Sequence, residues 1–305
     1  MKVSLLSRFQ GGLLGAWIGA SSVEQNPKFT QADEQLLPWI KLGIEITEGI
    51  INSGQILDNH GLEIFEQYKN KQGLKNPISS GMIAISTLPL ALFFHDSPHH
   101  FKQYLYSLND GGKLSQETLE EVIIWQDALS LILREKVDSS PLIPQLLKRH
   151  SQGKTALLQQ LEQMQLFLEQ KIPLHQVLVQ LSRRHQLQPH EIALACYCFS
   201  YSPQEFSVCI KRAKTLDYQP FLTATLTGIL VGVYNGISGI PIAWRGELWD
   251  VRISQNIYRQ ATNLLAVWSG VDQPSSLQPL QQSAIASPLI IQPRPTVKMI
   301  SQTEI

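Results

Sequence analysis

The chain has no excess charge of either sign: its 305 residues carry 25 Lys plus Arg against 25 Asp plus Glu. A balanced protein sets up no long-range field toward phosphate or anionic lipid, so nucleic acid is not an expected partner. Cysteine is scarce as well. Cys196, Cys198 and Cys209 are too few and too clustered for a disulfide framework. Positions i and i+2 of a helix point apart and no histidine stands at ligand spacing, so the three read as buried free thiols rather than a metal site. The opening "MKVSLLSRFQGGLLG" lacks the apolar stretch and cleavage site of a signal peptide, and the expected compartment is the reducing cytoplasm. Alternating apolar and polar runs of the kind a half-buried strand needs are missing, and so is any G-x-S-x-G nucleophile elbow. Sheet-based folds and a serine-nucleophile triad drop out together.

One long stretch lacks charge altogether. Between Asp217 and Arg245 the only ionisable side chains are the phenols of Tyr218 and Tyr234. Pro241 and the turn-like "NGISGIP" cut this run near Asn235, leaving about 16 helical residues where a bilayer needs about 20. Gln219, Thr223, Thr225, Thr227 and Asn235 interrupt its apolar surface, and no pair of aromatic belts marks its ends. A helix apolar all round that does not span a membrane belongs at the centre of a core. Its glycines Gly228, Gly232 and Gly236 recur every fourth residue, and Gly11, Gly15 and Gly19 repeat that spacing at the front of the chain. Two helices shaved on one face are expected to pack backbone to backbone.

With 43% hydrophobic and 16% charged residues the chain can bury a substantial core. Its periodicity is helical almost throughout, which predicts helices over Arg8–Ser22, Glu34–Ser53, His60–Lys69, Ser80–Phe94, Leu114–Glu135, Lys154–Gln170, Leu174–His185, Glu191–Ser200, Pro203–Lys214, Gln219–Asn235 and Val251–Ser269. "SQETLEE" places an N-cap at Ser115 before an acidic turn, and "SPQEF" suggests Pro203 at a first helical position behind a Ser202 cap. "HDSPHH" (His95 to His100) reads as the approach to a surface helix starting at Pro98, and "RRHQLQPHE" (Arg183 to Glu191) as a polar turn between helices. The fold is therefore all-α, with one helical domain over residues 1–270. From residue 271 proline, glutamine and serine dominate, and the composition predicts a disordered tail over 271–305.

The order of four segments carries a resemblance. "RFQGGLLGAWIGA", "LGIEITEGIINSG", "SSGMIAISTLPLALFF" and "ACYCFSYSPQEFSVCIKRAKTLDYQPFLTATLTGILVGVYNGISGIPIAW" resemble the ADP-ribosylglycohydrolase family, which includes the dinitrogenase-reductase-activating glycohydrolases, over most of residues 8–269. The last segment is the most specific, with "GILVGVYNG" standing against Gly-Ala-x-x-Gly-Ala-Tyr-Tyr-Gly and then Ile-Pro-x-x-Trp. The resemblance implies an orthogonal helical bundle around two Mg²⁺ ions that hydrolyses the bond between ADP-ribose and an acceptor. It also implies carboxylate ligands from a Thr-Asp-Asp-Thr motif opening the second helix and an Asp-x-Asp-Thr motif opening the late core helix.

The chain departs from that pattern at the ligands. Aligned without gaps, the Asp-x-Asp-Thr positions fall on Gln219, Pro220, Phe221 and Leu222, and the Thr-Asp-Asp-Thr positions on Leu37, Pro38, Trp39 and Ile40. The aspartate of the first Gly-Asp-Ala-Leu-Gly motif falls on Ala20, and Ser86 stands where the family carries arginine. Apolar Trp39 and Phe221 facing one cavity would desolvate a dication without compensating it. These positions, Ala20, Pro38, Trp39, Ser86, Gln219, Phe221 and Leu222, therefore read as a vestigial cleft without a metal, and the chain as a catalytically silent member that binds a protein partner or a nucleotide-like ligand. Two other readings stay open. One is an active Mg²⁺-dependent hydrolase with relocated ligands, in which a five-residue slip brings Asp33 and Glu34 into the paired-aspartate positions and Glu24 serves the first loop. The other is a purely structural helical protein whose cleft is filled.

Overall fold

The computed structural model describes residues 3–21, 42–51, 79–109, 114–137, 141–185, 189–216, 218–246 and 251–270. Its helices are α1 (Leu5–Ala20), α2 (42–51), α3 (Ser80–Ser86), α4 (Leu88–Phe93), α5 (Pro98–Leu108), α6 (Gln116–Leu133), α7 (Leu142–Arg149), α8 (Ala156–Glu169), α9 (Leu174–His185), α10 (Glu191–Tyr201), α11 (Phe206–Lys214), α12 (Pro220–Asn235), α13 (Ile242–Gly246) and α14 (Val251–Trp268). Among the described residues there is no strand, so the all-α expectation holds. The helix expected over His60–Lys69, the first part of Glu34–Ser53 and the tail over 271–305 lie outside the described residues.

Two helices from opposite ends of the chain form the axis of the core. α1 and α12 run antiparallel, with Gly11 against Gly232, Gly15 against Gly228 and Gly19 against Ala224, and a Cβ placed on any of the first five would overlap a carbonyl of the facing helix. Only glycine allows backbones this close. The expected pairing of the two stripes is therefore present, and Gly236 ends the seam, its backbone carbonyl carbon lying against Gly11. It caps α12 at φ 63° and sits against Val3 and Ser7. α12 is buried along its length from Leu222 to Val233. Its threonines cause no conflict, because Thr225 and Thr227 donate to the carbonyls of Phe221 and Thr223, each at 2.7 Å, the local back-bonding that lets a hydroxyl live inside an apolar helix. Among the described residues no helix is long and apolar enough to cross a membrane.

Around this pair α6 supplies Trp125, the largest fully buried side chain among the described residues. α6 starts where the sequence signals it: the Ser115 hydroxyl accepts from Thr118 N–H at 3.0 Å and Glu117 lies in the first turn. Its far end is closed by Arg8 of α1, buried at 6% exposure, which donates to the Ile132 carbonyl at 3.1 Å and pairs with Glu135 at 3.2 Å.

Three boundaries differ from the sequence reading. The helix expected over Ser80–Phe94 is two, divided at Thr87. Pro89 has no N–H to give Ile85, and its ring collides with that carbonyl in a continuous helix. Pro203 is not a first helical residue. Ser202 ends α10, its carbonyl accepts from Glu205 N–H at 3.0 Å and from the Cys209 thiol at 3.1 Å, and Asn235 of α12 holds the Pro203 carbonyl at 2.7 Å, so α11 begins only at Phe206. α7 was not anticipated. "PLIPQLLKR" carries two prolines, but Pro144 lies in the first turn, where its missing N–H has no acceptor to disappoint.

Candidate functional site

The start of α12 and the end of α1 are neighbours. Gly19 abuts the backbone of Ala224 and Thr225, which places Ala20, buried at 8% exposure, beside the first turns of α12. Lys214, at the end of α11, donates to the Ser21 carbonyl at the same corner. Gln219 is exposed and left-handed, at φ 40° and ψ 56°, and makes no capping bond to the helix it precedes; its amide reaches the phenol of Tyr218 instead. Pro220 has no side-chain oxygen, Phe221 is half-buried against the core, and Leu222 is 3% exposed within it. Ser86 is fully buried and turns its hydroxyl back on the Met82 carbonyl at 3.1 Å, so it offers nothing to a cleft. Pro38, Trp39, Glu24, Asp33 and Glu34 lie outside the described residues.

A pair of magnesium ions does not fit the donors that the described residues supply at this corner. A helix start carries partial positive charge from its unpaired N–H groups, so a dication held there needs carboxylates to offset both the helix and its companion ion. Gln219 supplies one neutral amide, and Ala20, Phe221 and Leu222 supply hydrocarbon.

A second constellation, missed in the sequence, lies buried one helix away. The Ser80 hydroxyl is 3.3 Å and the Glu121 carboxylate 3.1 Å from His190 Nε2. The other ring nitrogen, Nδ1, accepts the Ile192 N–H at 3.2 Å. That bond requires a bare Nδ1, so the ring proton is on Nε2 and points at Glu121. Glu121 also accepts from Leu157 N–H at 3.3 Å, Glu191 from Gly81 N–H at 3.1 Å, and Gln160 from His190 N–H at 2.8 Å. The residue types match a Ser-His-acid triad but the geometry does not: serine and acid share one nitrogen, and the other is spent capping α10. This is a structural polar node.

Its electrostatics follow from its contacts. Burial pushes the Glu121 carboxyl up, but hydrogen bonds from His190, Ser80 and Leu157 and the charge available on the imidazole outweigh it, holding the group below the usual carboxylate value. Burial pulls His190 down, while the bond to Glu121 and the charges of Glu191, Glu121 and Glu117 raise it above its ordinary value. The polar turn read over Arg183 to Glu191 thus overlaps both helices, the earlier one running to His185 and α10 opening at Glu191, and its last two residues, His190 and Glu191, are buried. A legible signal was present in "PHE" before the apolar "IALACYCF", a polar residue and an acid opening a buried helix.

The remaining candidates are inert. Cys196, Cys198 and Cys209 are buried free thiols, pushed up by burial to about 12, about 12 and about 11. His95 is packed between Phe9 and Trp268, bonded to the Leu92 carbonyl at 2.8 Å and lowered chiefly by burial. Among the described residues no group of three or more His, Cys, Asp or Glu is placed to hold a metal.

Comparison with known proteins bears on the whole arrangement. No curated protein matches the chain. A solved structure described as an ADP-ribosylglycohydrolase-related protein complex superposes with a TM-score of 0.56 at 16% identity, over 87% of this chain and 99% of that one, a likeness of fold alone. The sequence profile of the ADP-ribosylglycohydrolases matches residues 21–274, which takes in the start of α12, the buried node and most of the core. With well over half its length matched, and with the late glycine helix at the centre of its fold, the chain belongs to the ADP-ribosylglycohydrolase family.

Proposed function

We propose that this chain is a non-catalytic member of its family, kept for binding a partner protein or a nucleotide-like ligand at the surface around the start of α12. One observation carries the reading: the first turn of α12 presents Pro220, a half-buried Phe221 and a core-packed Leu222 where the family's metal ligands align. Relocating a ligand means moving a carboxylate to a helix start, and the nearby Glu191 is already engaged with Gly81 N–H. The balanced charge favours a partner recognised by shape and hydrogen bonding over one drawn in by long-range attraction.

The test is hydrolysis of an ADP-ribosylated protein with and without Mg²⁺, run beside an Asp33→Ala/Glu34→Ala variant. The expected outcome is no turnover above background. No rise in stability is expected at millimolar Mg²⁺ either, where a metal bound tenfold to a hundredfold below that concentration would add about 1–3 kcal/mol. Metal-dependent turnover lost in the variant would install the relocated-ligand enzyme instead.

A further inference from the structure

His190 is held by four helices, each through a different contact. Its Nδ1 accepts from Ile192 N–H in α10, its Nε2 lies against Glu121 of α6 and Ser80 of α3, and its own N–H donates to Gln160 of α8. The same carboxylates close the neighbouring helix starts, Glu121 at Leu157 in the first turn of α8 and Glu191 at Gly81 in the first turn of α3. Among the described residues, the charged groups that act most on the ring are carboxylates: Glu121 and Glu117 from α6 and Glu191 from α10. α3 and α8 present the neutral Ser80 and Gln160, and the Glu191 charge also acts on the Tyr218 phenol ahead of α12.

An imidazole with one ring proton satisfies both of its nitrogens here, accepting at Nδ1 and donating at Nε2. An imidazolium cannot, because an Nδ1–H would confront the Ile192 N–H and the cap would be lost. In exchange, a positive charge would stand among carboxylates that are buried and only partly compensated. The ring must hold either the cap or the charge.

We propose that His190 is a proton-operated latch: with one ring proton it caps α10, and with two it gives up that cap and clamps Glu121 and Glu191 by charge, loosening the start of α10 while tightening the starts of α3 and α8. The candidate site shares the change through Glu191, which opens α10, closes α3 at Gly81 and whose charge acts on Tyr218, the residue ahead of Gln219. The latch is independent of whether the chain hydrolyses anything.

Nitrogen-15 NMR of the full chain tests it between about pH 8 and pH 5, the range in which histidine titrates. The His190 Nδ1 signal should move from an unprotonated acceptor to a protonated nitrogen in one step. Exchange of the Ile192 amide, corrected for its intrinsic pH dependence, should become about fivefold faster across the same step, as loss of one cap allows, while the Gly81 amide does not. His190→Asn keeps a short capping oxygen and cannot take the proton, so the pH response of Ile192 should vanish. The proposal falls if Nδ1 carries a proton at the alkaline end, if the ring takes no second proton in the range, or if His190→Asn leaves the Ile192 response intact. Should that variant not fold, the wild-type titration with the Ile192 exchange decides alone.

Discussion

Gln219 is a side chain in a backbone conformation that suits glycine. At φ 40° and ψ 56° it pays the left-handed penalty in an exposed position without capping α12. Gln219→Gly should therefore raise the stability of the protein by roughly 0.5 kcal/mol, the strain relieved exceeding the added freedom of the unfolded chain. Urea midpoints measure it, and a clear loss of stability would mean the glutamine amide is held by more than Tyr218. The opposite sign belongs to Gly15. An added Cβ there would overlap the Gly228 carbonyl, backbone that cannot step aside without separating α1 from α12. Gly15→Ala should cost about 3 kcal/mol or more, against about 1 kcal/mol for the reverse change Ala16→Gly next to it.

Helix starts are the feature of the elements that local sequence states most clearly. Ser115 and Thr155 each accept an N–H of the first turn, from Thr118 at 3.0 Å and Leu158 at 3.3 Å. Replacing Ser115 by alanine should lower stability by about 1 kcal/mol, read from thermal or urea unfolding, with no change in helix content of the folded state. Caps, the four-residue glycine spacing and the apolar run after Gln219 were all legible because each acts within one or two turns. The division at Thr87 was available too, in Pro89, but the apolar pattern on both sides is continuous and masks it. Of the polar node only the opening of α10 at His190 and Glu191 was legible. Ser80, Glu121 and His190 are 110 residues apart at the widest, and in "SQETLEE" Glu121 looks like one of several solvated acids; only tertiary packing decides which of them is turned inward. At the candidate site, the lack of carboxylates over 219–222 is a plain fact of the sequence, whereas the inward turn of the Ser86 hydroxyl depends on how α3 packs.

For the molecule as a whole, the node sets a direction for stability against pH. Glu121 has its folded value below the ordinary carboxylate range, so its contribution is present above the unfolded value and fades as pH falls through the folded one. His190 has its folded value raised, so its contribution is complete below the ordinary imidazole value and fades as pH climbs through the raised one. The two overlap in mildly acidic solution. Stability should therefore be greater near about pH 5.5 than near about pH 8.5, and His190→Asn should flatten the alkaline half of that profile and also weaken the acid half, because the His190 bond and charge are the main contacts that hold Glu121 down. Denaturant midpoints across pH provide the check, and a wild-type profile rising from about pH 5.5 to pH 8.5 would contradict the raised His190 value.

The glycine seam between α1 and α12 also governs when the fold can be completed. The two helices meet only after roughly two hundred intervening residues have left the ribosome, at some 5–20 residues per second. For that interval of about 10–40 s the nascent α1 is a short glycine-rich helix with no partner, too weak to persist by itself in water. α1 is thus made well ahead of its partner and locked late, and a chain arrested before α12 should expose α1 to protease or to chaperone, however well the middle helices have formed.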